Sequence, residues 1–221
     1  MIYINNKNKT AFCLNDEQEN FIEKLKKIIE SKMPPDLYVH SISTLDYAGK
    51  LADIYLNKST GLEKANRLFY KLCISCILHD YGKIFLPLDL VKTAEREKIK
   101  LSKFEFACKP LLHGFLAPYL IKRDFGIKDP CILKAVKYHT TGSCKMNMVD
   151  KILYISDKIE ETKNYENVDY LRSLSGKNIN LCLLEVYKSN IIYLITKNKF
   201  LHPDTNKIWN NILGGIKNGI R

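Results

Sequence analysis

Five histidines occur in the chain, at positions 40, 79, 113, 139 and 202, and four of them accompany apolar runs with helical spacing. His79 and Asp80 follow Cys76-Ile77-Leu78 at the end of the most apolar run, where two polar side chains are costly to desolvate without a partner. Alone, the pair also reads as a helix end, with His79 capping carbonyls and Asp80 opening a turn. His40 lies early in a second helical run, His113 follows Leu111-Leu112, and His139 ends the run Ile132 to Tyr138. Asp157 lies in Ile152-Leu153-Tyr154-Ile155-Ser156-Asp157, an apolar stretch in which a lone carboxylate needs a partner. Imidazoles with carboxylates and no obligatory thiolate suit iron, manganese or a similar ion better than a closed structural zinc site. His202, beside Pro203, is expected in a surface turn and receives no role. Cys73 and Cys76 have the spacing of a redox motif, but inside an apolar helix with no strand nearby they read as core packing.

The elements that must position these residues are helical almost throughout. Asn15 or Asp16 caps a first helix with Phe21, Leu25, Ile28 and Ile29 on one face, ended by Pro34-Pro35. A second helix is expected from Asp36 to Leu56 with Val39, Ile42, Leu45 and Ala52 inward, followed by the polar loop Asn57 to Gly61. Leu62 to Leu78 is apolar around more than half its circumference and should form the centre of the core. Tyr81 to Pro87 breaks the pattern, and a charged helix follows from Leu88 to Ile99. Pro110 opens the apolar run Leu111 to Ile121, and Gly126 and Pro130 bracket the next turn. Further helices are expected at Ile132 to Tyr138, Met148 to Glu160, Asp169 to Leu174, Asn180 to Lys197 and Asp204 to Leu213. Strand-like alternation is confined to Met1 to Ile4 and Ala11 to Leu14. The fold class is therefore all-α: residues 1–15 form an N-terminal extension without a structural assignment, and residues 16–221 form one irregular helical bundle, with neither repeat nor linker.

The 221 residues are 46% hydrophobic and 27% charged, with 10 Gly and 7 Pro, the balance of a globular domain rather than of a collagen-like or low-complexity chain. No apolar stretch approaches the ~18 residues needed to span a bilayer, and the polar start Asn5-Asn6-Lys7 lacks the apolar core of a secretory signal. A cytoplasmic protein is expected, its seven cysteines reduced. The net charge is +11, and residues 188–221 hold six Lys or Arg against Asp204 alone. That excess fits a small phosphorylated ligand or serves solubility alone; the interleaved basic and aromatic pattern of a nucleic-acid module is missing.

The order of these residues, a His, then His-Asp, then two single His, then an Asp, resembles the HD-domain superfamily of metal-dependent phosphohydrolases. The strings His79-Asp80-Tyr81-Gly82-Lys83, Leu111 to Gly114, Tyr138 to Gly142, Asp150 to Asp157 and Leu201 to Asp204 are similar to its bacterial YqeK-type branch, over residues 20–213. The resemblance implies symmetrical cleavage of diadenosine tetraphosphate into two ADP. It implies that His40, His79, Asp80 and Asp157 hold a metal core, with Asp80 able to bridge two ions, and that His113 and His139 complete a second ion or meet phosphate. The implied ion is iron, one or two per chain, with manganese or another divalent metal accepted by the same ligands. Metals suit this chemistry because they neutralise phosphate oxygens and lower the pKa of an attacking water.

Lys83, three residues beyond Asp80, is expected to offer a charge to a phosphate as well as Asp80 serving catalysis; the plain alternative is a solvated lysine at a helix end. Thr140, Thr141 and Gly142 form a polar loop suited to meet a phosphate or ribose through backbone amides, or an ordinary glycine-closed helix end. The family's arginines are replaced at Ser143 and near Leu37, and its Glu-Pro-Asn-Arg stretch reads Glu160-Glu161-Thr162-Lys163, leaving Lys163 as the surviving charge. The expected partner is a nucleotide, with neither nucleic acid nor membrane, and a homodimer is compatible with the sequence. A nucleoside monophosphate phosphohydrolase, or a metal-containing nucleotide sensor without turnover, are the alternative readings.

Overall fold

The computed structural model describes residues 12–56 and 61–218. The segment Met1 to Ile4, Ala11 and most of the loop after Leu56 lie outside the described residues; Phe12 to Leu14 form no strand. Eleven helices are seen among the described residues, with no strand between them. The first, α1 (Asp16–Lys32), starts with a capping box in which Asn15 and Gln18 satisfy each other's backbone N–H groups, reinforced by acidic residues in the first turn. Pro35, expected only to stop α1, is itself the first residue of α2 (Pro35–Tyr55), a place where its missing N–H costs nothing.

Helix α3 (Leu62–Leu78) packs against α1, α2, α7 (Pro130–Tyr138) and α8 (Met148–Ile159), so it occupies the centre that its apolar circumference demands. Phe69, Leu72, Ile77 and Leu78 are fully buried, each contributing roughly 1.5–3 kcal/mol. Val39 does not face inward: it is 53% exposed. The buried stripe of α2 runs through Ser41, Thr44, Leu45, Ala48, Leu51 and Ala52, and Val39 lies off it. Phe12 stacks on Phe69 with ring centroids 4.3 Å apart, closing the end of the core beside α1.

After α3 a 3-10 turn (Tyr81–Ile84) leads into α4 (Pro87–Arg96), the short α5 (Lys103–Ala107), a second 3-10 turn (Lys109–Leu111) and α6 (Leu112–Phe125). Helix α4 ends at Arg96 rather than Ile99, because Lys98 turns to a φ of 53°. Helix α5, absent from the sequence expectation, is a single turn closed by a Ser102–Glu105 capping box. The remaining elements are α9 (Val168–Ser175), α10 (Ile179–Thr196) and α11 (Thr205–Asn218). Helix α10 lies on α8 and α9 through its first half, where Cys182, Leu183, Val186 and Tyr187 are buried, whereas Ile192, Tyr193 and Ile195 of its second half are exposed. No helix among the described residues is long and apolar enough to cross a membrane.

Candidate metal centre

Five helices bring their polar residues to one place. His40 comes from the second turn of α2, His79 and Asp80 from the end of α3, His113 from the first turn of α6, His139 from the residue after α7, and Asp157 from α8. All but His40 are buried. The donor atoms fall into two trios, His40 with His79 and Asp157, and Asp80 with His113 and His139, each within 4.8 Å of one another. Asp80 joins them. Its Oδ2 faces His79 Nε2 at 3.4 Å and His40 Nε2 at 3.7 Å, and its Oδ1 faces His113 Nε2 and His139 Nε2, both at 3.4 Å.

The same local device aims three of the four rings. His79 Nδ1 meets the Cys76 carbonyl at 2.8 Å, and His113 and His139 meet the Pro110 and Val136 carbonyls at 2.7 Å. Each carbonyl lies three residues back at a helix end or turn, where it has no regular helical partner. A carbonyl only accepts, so Nδ1 carries the proton and Nε2 turns its lone pair inward. His40 is aimed instead by Glu160, whose Oε1 accepts from Nδ1 at 3.0 Å. Glu160 is itself held by Ser43, by the Thr162 amide at 2.6 Å and by the Thr162 hydroxyl at 2.6 Å.

The result is acceptors facing acceptors. His113 Nε2 lies 3.2 Å from His139 Nε2, His40 Nε2 lies 3.2 Å from His79 Nε2 and 2.9 Å from Asp157 Oδ1, and Asp80 Oδ1 is buried without a hydrogen bond. Converging lone pairs and carboxylate oxygens of this kind fit a divalent cation. Electrostatics agree. Burial opposes charge on His79, yet Asp80 and Asp157 push its pKa up to about 10; a cation would answer the same field and displace that proton. Burial and the neighbouring His139 bring His113 down to about 3, leaving it an unprotonated donor at neutral pH. Asp80 and Asp157 stay ionised against their burial, Asp80 beside His79 and Asp157 beside Lys158.

Gly82 permits the assembly. A Cβ there would stand 2.4 Å from the His113 carbonyl oxygen, so a side chain would drive the turn after Asp80 away from α6. Lys83 reaches back as expected, its Nζ 2.7 Å from Asp80 Oδ2. The Thr140 hydroxyl lies 2.9 Å from His139 Nε2 and 3.4 Å from His113 Nε2, and Thr140 and Thr141 line a cleft of about 590 Å³ opening beside His113. The Gly142 amide is not free for a phosphate. It donates to the Tyr138 carbonyl at 2.8 Å, with a φ of 71°, the glycine-closed helix end that the sequence also allowed. Lys163 lies 3.7 Å from Glu160 and lines a second cleft together with Lys158.

Three residues carry more than their sequence context indicated. Lys158 seats its ammonium on Asp157 and on the His139 carbonyl, 3.2 Å away; Glu160 fixes His40; and His202, in its expected turn, lines the cleft with its ring 5.2 Å from that of Phe104. A carboxylate and an ammonium closing the apolar run of α8 were the available signal for the first two. Cys73 and Cys76 face the core as expected, their thiols raised by burial, Cys73 to about 12. Leu37 is packed against the core and Ser143 opens on a different cavity.

No family model matches the chain. The symmetrical bis(5'-nucleosyl)-tetraphosphatase of Staphylococcus aureus is 30% identical over 186 residues, covering 83% of this chain and 90% of that protein. The Bacillus subtilis protein of the same name is 27% identical over 193 residues, covering 87% and 98%. A crystal structure from Clostridium acetobutylicum, described as a predicted HD superfamily hydrolase involved in NAD metabolism, superposes with a TM-score of 0.75 at 30% identity, covering 87% of this chain and 96% of that one. With the His and Asp side chains assembled on an all-α bundle and similarity that spans nearly the whole of these relatives, the chain belongs to the symmetrical bis(5'-nucleosyl)-tetraphosphatase family of HD superfamily hydrolases.

Proposed function

We propose that the chain is a metal-dependent hydrolase that cleaves diadenosine tetraphosphate symmetrically into two ADP. The observation that carries the reading is Asp80, buried between two pairs of histidines with Oδ2 turned to His40 and His79 and Oδ1 to His113 and His139. His40, His79, Asp80 and Asp157 would hold one ion and Asp80, His113 and His139 a second; iron is the proposed metal, with manganese acceptable to the same ligands. When bound, such ions neutralise phosphate oxygens and activate water. The chain's own residues do the rest. The histidine Nδ1–H bonds keep the rings from turning, Glu160 keeps His40 in line, and burial excludes competing water. Lys83 presents a charge at the mouth of the cleft, the Thr140 and Thr141 hydroxyls lie at its wall, and Lys163 supplies the charge that relatives make with arginine. Asp80 and Lys83 are therefore the residues proposed to act in the chemical step, and Gly142 shapes the loop that carries the threonines. The free state of all seven cysteines and a nucleotide substrate are consistent with a cytoplasmic site of action.

The test is incubation of purified protein with ferrous iron or manganese and a panel of nucleotides, with products separated by chromatography. ADP as the sole product of diadenosine tetraphosphate is expected. Nucleoside plus phosphate from a monophosphate would favour the alternative hydrolase, and binding without product would favour a sensor.

A further inference from the structure

Helix α10 divides the space beside the metal centre into two clefts, and Asn190 lines both. The larger, about 590 Å³, contains Lys83, Lys199, Thr140, Phe200 and His202. The smaller, about 400 Å³, contains Lys158, Lys163, Tyr165 and Tyr193. Each cleft thus has two lysines and aromatic side chains, and each has one ammonium seated on a carboxylate of the centre: Lys83 on Asp80 and Lys158 on Asp157. The clefts adjoin at their outer rim, where Lys199 Nζ lies 3.2 Å from the Tyr193 hydroxyl. Phe200 is 70% exposed and Tyr193 49%, so neither aromatic face is spent on the core. In the larger cleft His202 Nδ1 accepts the Asp204 amide at 3.2 Å, which leaves its Nε2–H as a donor.

We propose that these clefts are two nucleoside diphosphate half-sites, one on either side of Asn190, each gripping its phosphates with a lysine pair and stacking its base on an exposed aromatic, Phe200 in one and Tyr193 in the other. The proposal rests on the hydrolase reading above and adds to it the reason that cleavage is symmetrical. A substrate with two identical ends, held at both, would have its central anhydride between Lys83 and Lys158, the two ammonium groups seated on Asp80 and Asp157. Binding energy gathered far from the reacting bond thereby fixes which bond reacts. The volumes of the two clefts lie in the range that small-molecule sites occupy.

Titration calorimetry with ADP in the presence of manganese reads the half-sites without turnover. Two ADP per chain are expected for the wild type and one for Phe200→Ala or Tyr193→Ala, with circular dichroism confirming an intact fold and the exposed Tyr170→Ala as a control that keeps two. In hydrolysis each single variant should raise KM for diadenosine tetraphosphate about tenfold, with the factors multiplying in the double variant. One ADP per chain or none in the wild type, or a double variant no worse than the poorer single one, would overturn the proposal. Two bound ADP without cleavage of the dinucleotide would leave the half-sites standing and remove the hydrolase reading; cleavage with one bound ADP would do the reverse.

Discussion

Two pairs of potential metal ligands lie within a few residues of each other, one in the last turns of α3 and one just after its end, and they have opposite fates. Cys73 and Cys76 are buried among apolar neighbours, and burial first of all drives their thiols upward, helped at Cys76 by Cys73 and Asp157, so they remain protonated and act as small hydrophobic groups. His79 and Asp80 are just as buried, but they stand where the helix stops and where α2, α6, α7 and α8 deliver further donors. Burial is thus common to both pairs. What separates them is convergence: the second pair is met by four other candidate ligands, three of them histidines whose lone pairs are already turned inward by bonds on the far side of each ring.

The comparison breaks first at Asp80. Asp80→Asn removes the shared anion from both pairs of histidines, and kcat/KM should fall on the order of a thousandfold or more, with metal lost and the helical spectrum kept; full metal content by elemental analysis would reverse the assignment. A weaker effect is expected one step outward. Glu160→Gln no longer fixes His40 as a charged acceptor, and metal affinity should drop about 10- to 100-fold, measured by competition with a chelator. Glu160 also gives a pH signature in metal-free protein. Burial opposes its ionisation, but His40, Ser43 and Thr162 hold its pKa down to about 2, below the usual ~4.3. A carboxylate lowered on folding contributes stability that is complete above its unfolded pKa and is lost as pH falls to the folded one. Denaturation midpoints should therefore decline between about pH 4.3 and pH 2 more steeply in wild type than in Glu160→Gln.

Lys163→Ala should lower kcat/KM about tenfold by removing a charge-assisted phosphate contact, and Lys163→Arg should match or exceed the wild type because guanidinium can pair two oxygens at once. Equal kinetics for the alanine variant would leave Lys163 as a helper of Glu160 only. Smallest of all is the effect of replacing both cysteines. Cys73→Ala with Cys76→Ala should leave metal content and turnover unchanged while lowering stability by roughly 1–3 kcal/mol through small cavities, seen as a shift in thermal midpoint. Metal loss in that variant would erase the distinction between the two pairs.

Much of this arrangement was legible in the chain. Periodicity located α1, α2, α3, α6, α7, α8, α10 and α11 because their apolar stripes repeat at the helical period, and Asn15 caps α1 in the structure as its position suggests. The short α5 escaped because its single turn has no buried residue to set a period. Val39 misled because a β-branched apolar residue in a helix carries no sign of which way that face turns. The six candidate ligands stood out because each is a polar residue in or beside an apolar run, a position that needs a partner to be tolerated.

The sequence by itself determined the donor set, the helix ends that carry it and the carbonyls three residues back that orient three of its rings, since all of these are local. The tertiary structure alone decided the rest. That Asp80 divides its oxygens between two pairs of histidines, that Glu160 rather than a carbonyl aims His40, and that Lys83 and Lys158 flank the centre from separate clefts follow from how α2, α3, α6, α7, α8 and α10 pack together. Such contacts join residues more than a hundred positions apart, as with His40 and Glu160. Their distances depend on the rotation and crossing of whole helices, which side-chain packing across the core sets and local residue patterns do not encode.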